Sequence, residues 1–417
     1  MGRVRLFVLI ATGCATAAAG GCASMDKALK GADSALNLYE SNPVQAAVDI
    51  AGSANPAATA KSLAKQRAAA YQKDPRLLLN DIREVRRDYQ KLVSLLRGNV
   101  DKTWGHKEVK IPTRKEYVKY TQNYLSRAIV DFDKGKVTVE TLDQTAPKTS
   151  LKNAITTTLL TPDDPRSVDL FSDKQVVLKG DRRPYLYNLV LDRDSQPIDT
   201  PASADRFADY LVSNKTSTRT VDVTGGNKTA TYVTIDMVKN FEDRQAQKYQ
   251  PMVTAYAEKY RVSKSLIFAI MKTESNFNPY AVSSAPAYGL MQLVPTSGAR
   301  EGSRKALGRD ESPSKDTLFD PQMNIQLGSA YLSVLMYDQL GDIADHTSRE
   351  YCVISAYNTG TGNVMKAFSK DRGTALAMIN KMSAPDVYAR LKSKLPYQET
   401  RQYLPRVVQN RKGYVQL

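Results

Sequence analysis

The hydrophobic period of this chain changes twice, and those changes limit its architecture more than any other feature. Ile82, Val85, Tyr89, Leu92 and Leu96 step by three and four, which predicts an amphipathic helix that Gly98 would end. From about residue 100 to 240 the spacing shortens. Residues 128–133 and 136–142 read as β-prone runs joined around Lys134-Gly135, a hairpin signal. Residues 151–160 fit a short helix, and 185–192 and 232–238 fit further strands. Beyond residue 242 the helical period returns. Residues 249–260 fit one helix, and Leu266, Ile267, Ile270 and Met271 mark the next, with Ser263 placed to cap it and Asn278-Pro279 to stop it. The pattern predicts a multidomain chain: an α+β domain over 76–242, led by the amphipathic helix, then a mainly α domain over 243–417. With 417 residues, 42% of them hydrophobic, there is enough apolar material for a core in each.

Residues 1–21 read as a signal peptide. Arg3 and Arg5 are followed by apolar residues and then by small ones, a run too short and too rich in Gly and Ala to span a bilayer. Ala19-Gly20-Gly21-Cys22 resembles a lipobox, in which the Cys is acylated and becomes the mature N-terminus. Cys14 competes, but cutting there leaves a very short apolar region, and neither site has the usual Leu three residues earlier. Lipid on Cys22 would attach the chain to a membrane without a spanning helix. Ala23 rather than Asp follows it, which by resemblance to bacterial lipoproteins implies the outer membrane, facing the periplasm. Residues 22–75, rich in Ala, Ser, Asn and Lys, read as a tether. Cys352 lies in apolar Tyr351-Cys352-Val353-Ile354 and is expected in the core, not as a nucleophile.

Elimination narrows the chemistry. Two His, His106 and His346, lie far apart and leave little for a zinc site or a His-based triad. Three Cys cannot form a disulfide framework. No metal or cofactor is expected. Lys plus Arg outnumber Asp plus Glu by 59 to 43, a net +16 that favours an anionic partner. Export and the lack of a basic-aromatic reader motif argue against nucleic acid. Arg83, Arg86, Arg87 and Lys91 lie off the apolar stripe and are expected to form a solvated face rather than to touch lipid. Asp163-Asp164-Pro165 reads as a turn and Trp104 as a core anchor. Glu274 is different. Four residues after Ile270 and seven after Ile267, it shares the apolar face of its helix. A carboxylate there must be paired or lose its charge, and desolvation holds it protonated, as a general acid requires. The local pattern alone slightly favours the plainer reading, a Glu that bends to solvent at a fraying helix end.

The residues around Glu274 add an ordered set. Glu274-Ser275 leads into Asn276-Phe277-Asn278-Pro279, then Ser283, then Gly289-Leu290-Met291-Gln292; Ala356-Tyr357-Asn358 and Glu399-Thr400-Arg401-Gln402-Tyr403 follow. This set resembles the lytic transglycosylase family, whose catalytic domain is lysozyme-like. Thr103-Trp104-Gly105, Tyr117-Val118-Lys119-Tyr120-Thr121, Ser167-Val168-Asp169-Leu170 and Phe207-Ala208-Asp209-Tyr210-Leu211 extend the resemblance upstream, so that it covers roughly residues 100–410.

The resemblance implies cleavage of the β-1,4 bond between N-acetylmuramic acid and N-acetylglucosamine in peptidoglycan strands. The muramyl 6-hydroxyl attacks its own anomeric carbon and leaves a 1,6-anhydro end. It implies Glu274 as acid and then base, and Tyr357 near the anomeric centre. Ser283, Met291, Gln292 and Asn358 would sit at the substrate, and Tyr403 would position Glu274 or the sugar. Each has a plainer alternative in packing or loop hydrogen bonds, and Glu399 is expected as an ion-pair or capping residue. Thr359, and Pro286-Ala287-Tyr288 before Gly289, depart from the usual small residues and put fine specificity in doubt. A hydrolytic muramidase and a non-catalytic wall-binding lipoprotein are the competing readings.

Overall fold

A computed structural model of the chain describes residues 75–178, 183–223 and 225–416, with side chains from residue 86 onward. The expected signal peptide, Cys22 and all but the end of the tether lie outside the described residues. The chain divides into two units, Met1–Asp81 and Ile82–Leu417.

Helix α1, Pro75–Trp104, does not stop at Gly98. Leu96, Val100 and Trp104 carry its buried stripe onward at a spacing of four, all fully buried. That packing outweighs the roughly 1 kcal/mol that a glycine costs inside a helix. Trp104 is a core residue: its indole N–H donates to the Tyr124 carbonyl at 2.7 Å, and the Arg127 guanidinium lies 3.8 Å over its ring.

Strands β1 (Glu116–Thr121), β2 (Ser126–Asp131), β3 (Lys136–Thr141), β4 (Ser217–Val223) and β5 (Gly226–Asp236) form one antiparallel sheet in the order β1-β2-β3-β5-β4. The hairpin at Lys134-Gly135 is present. The Asp131 carboxylate accepts the N–H groups of Asp133 and Lys134, and Gly135 adopts φ +62°. A Cβ at Gly135 would lie 2.6 Å from the Phe241 ring, so this turn needs glycine for its packing too. Helix α2, Pro147–Leu159, lies on β2 and β3, and α3, Pro201–Asn214, packs on α2.

Residues 185–192, expected as a strand, form turns with only short bridges, Pro162 to Pro184 and Leu191 to Pro197. Their apolar residues do not alternate: Tyr185, Leu186, Leu189 and Val190 are all buried, and Asn188 turns the backbone at φ +61°. Asp163 and Asp164 have local partners. Asp163 pairs with Lys248, and Asp164 accepts the Arg166 N–H to cap a short 3-10 turn.

The rest of the chain is helical: α4 (Phe241–Tyr260), α5 (Lys264–Ser275), α6 (Gly298–Leu307), α7 (Lys315–Phe319), α8 (Pro321–Ser333), α9 (His346–Thr359), α10 (Thr361–Lys366), α11 (Arg372–Lys381), α12 (Ala384–Lys394) and α13 (Gln398–Arg411). Ser263 is the first cap residue of α5, but its side chain makes no capping bond and pairs with the Ser265 hydroxyl instead. Helix α5 ends before Asn278-Pro279, because Asn276 and Phe277 both take left-handed backbone at φ +49° and +62°. Cys352 is fully buried in α9, and burial pushes its thiol up to about 12, so it is packing rather than a nucleophile.

Sheet and helices share one continuous core. Where they meet, the rings of Tyr117, Tyr185 and Tyr280 lie 4.9–5.4 Å apart. The Tyr280 hydroxyl donates to the Pro162 carbonyl, and the Asn276 amide donates to the Phe132 carbonyl in the hairpin turn.

Candidate active site

Glu274 stands on the last turn of α5. Every residue from Leu266 to Met271 is buried, so that turn enters the core and takes the carboxyl with it, leaving the residue 5% exposed. Burial raises its pKa from 4.5 to about 7, against the pull of Tyr403, then Arg114. Glu399 adds to the rise, and Arg406 opposes it. Desolvation of the charged form outweighs the attraction of its neighbours, so near pH 7 the acid and the carboxylate are both populated. The Tyr403 hydroxyl is buried and makes no hydrogen bond of its own in the fold. It therefore has no competing claim on its proton, and it is the main group drawing Glu274 toward the ionised form.

The carboxyl opens onto a cleft of about 790 Å³. Glu274, Ser283, Gln292, Tyr357, Asn358 and Glu399 line it from the helical half. The opposite wall comes from α1 and from the segment before β1, including Gln90, Arg97 and Arg114. Its lining mixes charged, polar and apolar side chains, and its volume lies within the usual range for a ligand cleft.

The loop Gly289-Leu290-Met291-Gln292 reaches the cleft through Gln292, and buried Asn324 on α8 holds it. The Asn324 side chain accepts the Met291 N–H at 2.8 Å and donates to the carbonyls of Tyr288 and Leu318 at 2.8 and 2.7 Å. Gly289 has φ +74°, and a Cβ there would sit 2.5 Å from both the Leu318 carbonyl and the Asn324 amide. From the other side the Ser275 hydroxyl donates to Leu290 O at 2.7 Å, which ties this loop to the residue after Glu274.

Five of the residues singled out from the sequence thus meet in one cleft: Glu274, Ser283, Gln292, Tyr357 and Asn358. Met291 does not line it. It is fully buried, with its thioether filling the space that Gly328 leaves open. Tyr403 lies behind Glu274 rather than on the wall. Tyr357 donates its hydroxyl proton to the Met291 carbonyl at 2.8 Å, and burial keeps the phenol neutral, far above its usual range. Gln292 donates to the carbonyls of Ala281 and Gly289, both at 3.0 Å, while its buried carbonyl oxygen has no partner. Asn358 accepts the Thr400 hydroxyl at 2.7 Å. Ser283 bonds within its own loop, donating to Ala285 O and accepting the Ala287 N–H.

Two residues at the site have no counterpart in the sequence reading. Asn324 carries a faint signal, a polar residue among apolar ones on a helix. Arg114 carries none: it reads as one basic residue in Pro112-Thr113-Arg114-Lys115. In the fold it forms ion pairs with Glu274 at 3.5 Å and Glu399 at 3.2 Å.

Comparison with known proteins finds two family models in the chain. Residues 71–248 match the family model described as membrane-bound lytic murein transglycosylase C, N-terminal domain, and residues 251–379 match the transglycosylase SLT domain. The membrane-bound lytic murein transglycosylases C of Yersinia pestis (strain Pestoides F) and Yersinia pseudotuberculosis serotype O:1b (strain IP 31758) are each 44% identical over 326 residues, covering 78% of this chain and 89% of theirs. Among solved structures, an inactive mutant of the lytic transglycosylase Slt from Pseudomonas aeruginosa is 30% identical, with TM-score 0.33, over 40% of this chain and 24% of that one. The 70 kDa soluble lytic transglycosylase of Escherichia coli is 26% identical, with TM-score 0.31 and the same coverage.

Proposed function

The chain belongs to the membrane-bound lytic murein transglycosylase C family, and on that premise we propose that Glu274 alone serves its reaction, first as acid and then as base. Membership makes the chain a lytic transglycosylase of peptidoglycan, with a sheet-bearing N-terminal domain followed by a lysozyme-like SLT domain. In the proposed sequence protonated Glu274 gives its proton to the glycosidic oxygen. The bond from that oxygen to the muramyl anomeric carbon breaks, and its electron pair stays with the departing N-acetylglucosamine. The muramyl 6-hydroxyl then attacks the anomeric carbon and returns a proton to the Glu274 carboxylate. The product carries a 1,6-anhydro end, no water is consumed, and the enzyme regains its starting state.

The observation that carries this reading is one buried carboxyl with a pKa of about 7 at the cleft. A group poised there can both give and take a proton near neutral pH. An internal nucleophile also removes the need to position a water. Tyr357 supports the charged stage. Its proton is committed to the Met291 carbonyl, so its oxygen lone pairs are what it can offer to positive charge at the anomeric carbon. Ser283, Gln292 and Asn358 hold the sugar or its acetamido group, and Met291 backs Gln292 from beneath the cleft wall.

Glu399 in the cleft is the observation that favours a hydrolytic second reading, since glycosidases that use water employ two carboxylates. Opposing that, Glu399 is exposed and held by Arg114 at 3.2 Å, whereas Glu274 is buried at the cleft. Mass spectrometry of products from purified cell wall separates the two. Anhydro ends from the wild type, and none from Glu274→Gln that still binds the wall, support the proposal. Reducing muramic ends alone, or undiminished cleavage by Glu274→Gln, would overturn it.

No helix among the described residues is long and apolar enough to cross a membrane. For the membrane attachment in the family name, acylated Cys22 is proposed as the anchor, with the outer membrane as its site. Cys22→Ser should move the protein from the membrane fraction to the soluble one; continued retention would point to Cys14 instead.

A further inference from the structure

We infer that Arg114, delivered to the cleft by the sheet-bearing half, is a positioning residue that stabilises the carboxylate form of Glu274 in competition with Glu399. This rests on the reading of Glu274 as acid and base. The guanidinium spans two carboxylates, with Nη1 3.5 Å from Glu274 Oε2 and Nη2 3.2 Å from Glu399 Oε1. It leans toward the exposed partner and stays within reach of the buried one.

Its placement is built, not incidental. Fully buried Asn278, four residues after Glu274, donates its side-chain amide to the Arg114 carbonyl at 3.1 Å. The Val282 N–H donates to the adjacent Thr113 carbonyl at 3.4 Å. The Thr113 hydroxyl accepts the N–H groups of Lys115 and Glu116, which sets the turn from which Arg114 projects. Upstream, Glu108 pairs with Arg219 and Arg127, and Arg219 foremost holds its carboxyl down at about 2, so the stretch leading to Arg114 is tied to the sheet. One short piece of chain, from Glu274 to Asn278, therefore supplies both the acid and the socket for the arginine.

Charge explains what this does. While Glu274 holds its proton it has little pull on a cation, and Glu399 keeps Arg114. Once the proton has gone to the leaving sugar, a new carboxylate stands beside the guanidinium in a buried setting, where a nearby opposite charge counts most. Arg114, Tyr403 and Arg406 favour that carboxylate; Glu399 and burial oppose it. Tyr357 is neutral and lines the same space. Arg114 and Glu399 should therefore move the titration of Glu274 in opposite directions. Glu399 acts twice the same way, by its own charge and by drawing Arg114 aside.

The test is the pH profile of kcat for release of anhydro-muropeptides from purified cell wall, measured on the full chain. The alkaline limb reports loss of the acid in the enzyme–substrate complex. Arg114→Met should move that limb up by about one pH unit, and Arg114→Lys should bring it most of the way back. Glu399→Gln should move it down. A limb unmoved in Arg114→Met, with activity merely lower at every pH, overturns the inference, as does an upward shift in Glu399→Gln. Should Arg114→Met fail to fold, Arg114→Gln takes its place: an upward shift supports the role and an unmoved limb overturns it. Failure of the underlying reading looks different, because Glu274→Gln would then still make anhydro ends whatever Arg114 does.

Discussion

Glu274 should make the protein less stable as pH rises, and that can be measured without any substrate. Its carboxyl titrates near 4.5 when solvated and at about 7 in the fold. Between those values the native state holds a proton that the unfolded chain releases. A raised carboxyl pKa therefore adds relative stability at low pH, and this advantage is lost as pH climbs from 4.5 to about 7. At 1.36 kcal/mol per unit the interval is worth ~3 kcal/mol, and with the residue only 5% exposed there is little solvent screening to discount. Glu274→Gln removes the titration and keeps the shape. Urea midpoints of wild type and variant, taken at pH 4 and pH 8, give the comparison, and any pH-independent loss in the variant cancels between the two. The variant should gain about 3 kcal/mol on the wild type across that range. Parallel pH dependence in the two proteins would refute a perturbed Glu274, and the dual acid–base role would lose its physical footing.

Gly289→Ala should lower stability by about 2–4 kcal/mol, because its left-handed backbone and the nearby Leu318 carbonyl leave no room for a methyl group; a melting temperature equal to wild type would refute this. Tyr357→Phe removes one partly buried hydrogen bond and should cost roughly 1 kcal/mol in denaturant unfolding. The same variant should lower kcat by about tenfold or more at little-changed KM, and an unchanged kcat would remove Tyr357 from the charged stage of the reaction.

Features written in local spacing were legible in the sequence. The helical period placed Glu274 on an apolar stripe, and it is buried there. Lys134-Gly135 announced its hairpin because only a residue at ease with positive φ fits that turn. Where packing overrode local preference, the reading went astray. Gly98 sits inside α1 because Val100 and Trp104 still have a core to enter. Residues 185–192 are rich in strand formers, yet Tyr185, Leu186, Leu189 and Val190 are all buried and do not alternate as a half-exposed strand would. The cap expected from Ser263 failed because its hydroxyl pairs with Ser265. Arg114 marks the limit of such reading. Its link to Glu274 spans 160 residues of chain, and no periodicity or short motif encodes a contact at that separation.

The seam of Tyr117, Tyr185 and Tyr280 bears on how this enzyme can be altered. Two of those rings belong to the sheet-bearing half, and the third follows Glu274 by six residues. Aromatic contacts of this kind contribute about 0.5–1.5 kcal/mol per pair beyond the area they cover. The polypeptide just past α5 is thus as much a product of the first half as of the second. Recombination between relatives within the helical half alone would graft an acid without its surroundings. The piece to move by shuffling, fusion or engineering is then the compact unit Ile82–Leu417 rather than the helical half alone.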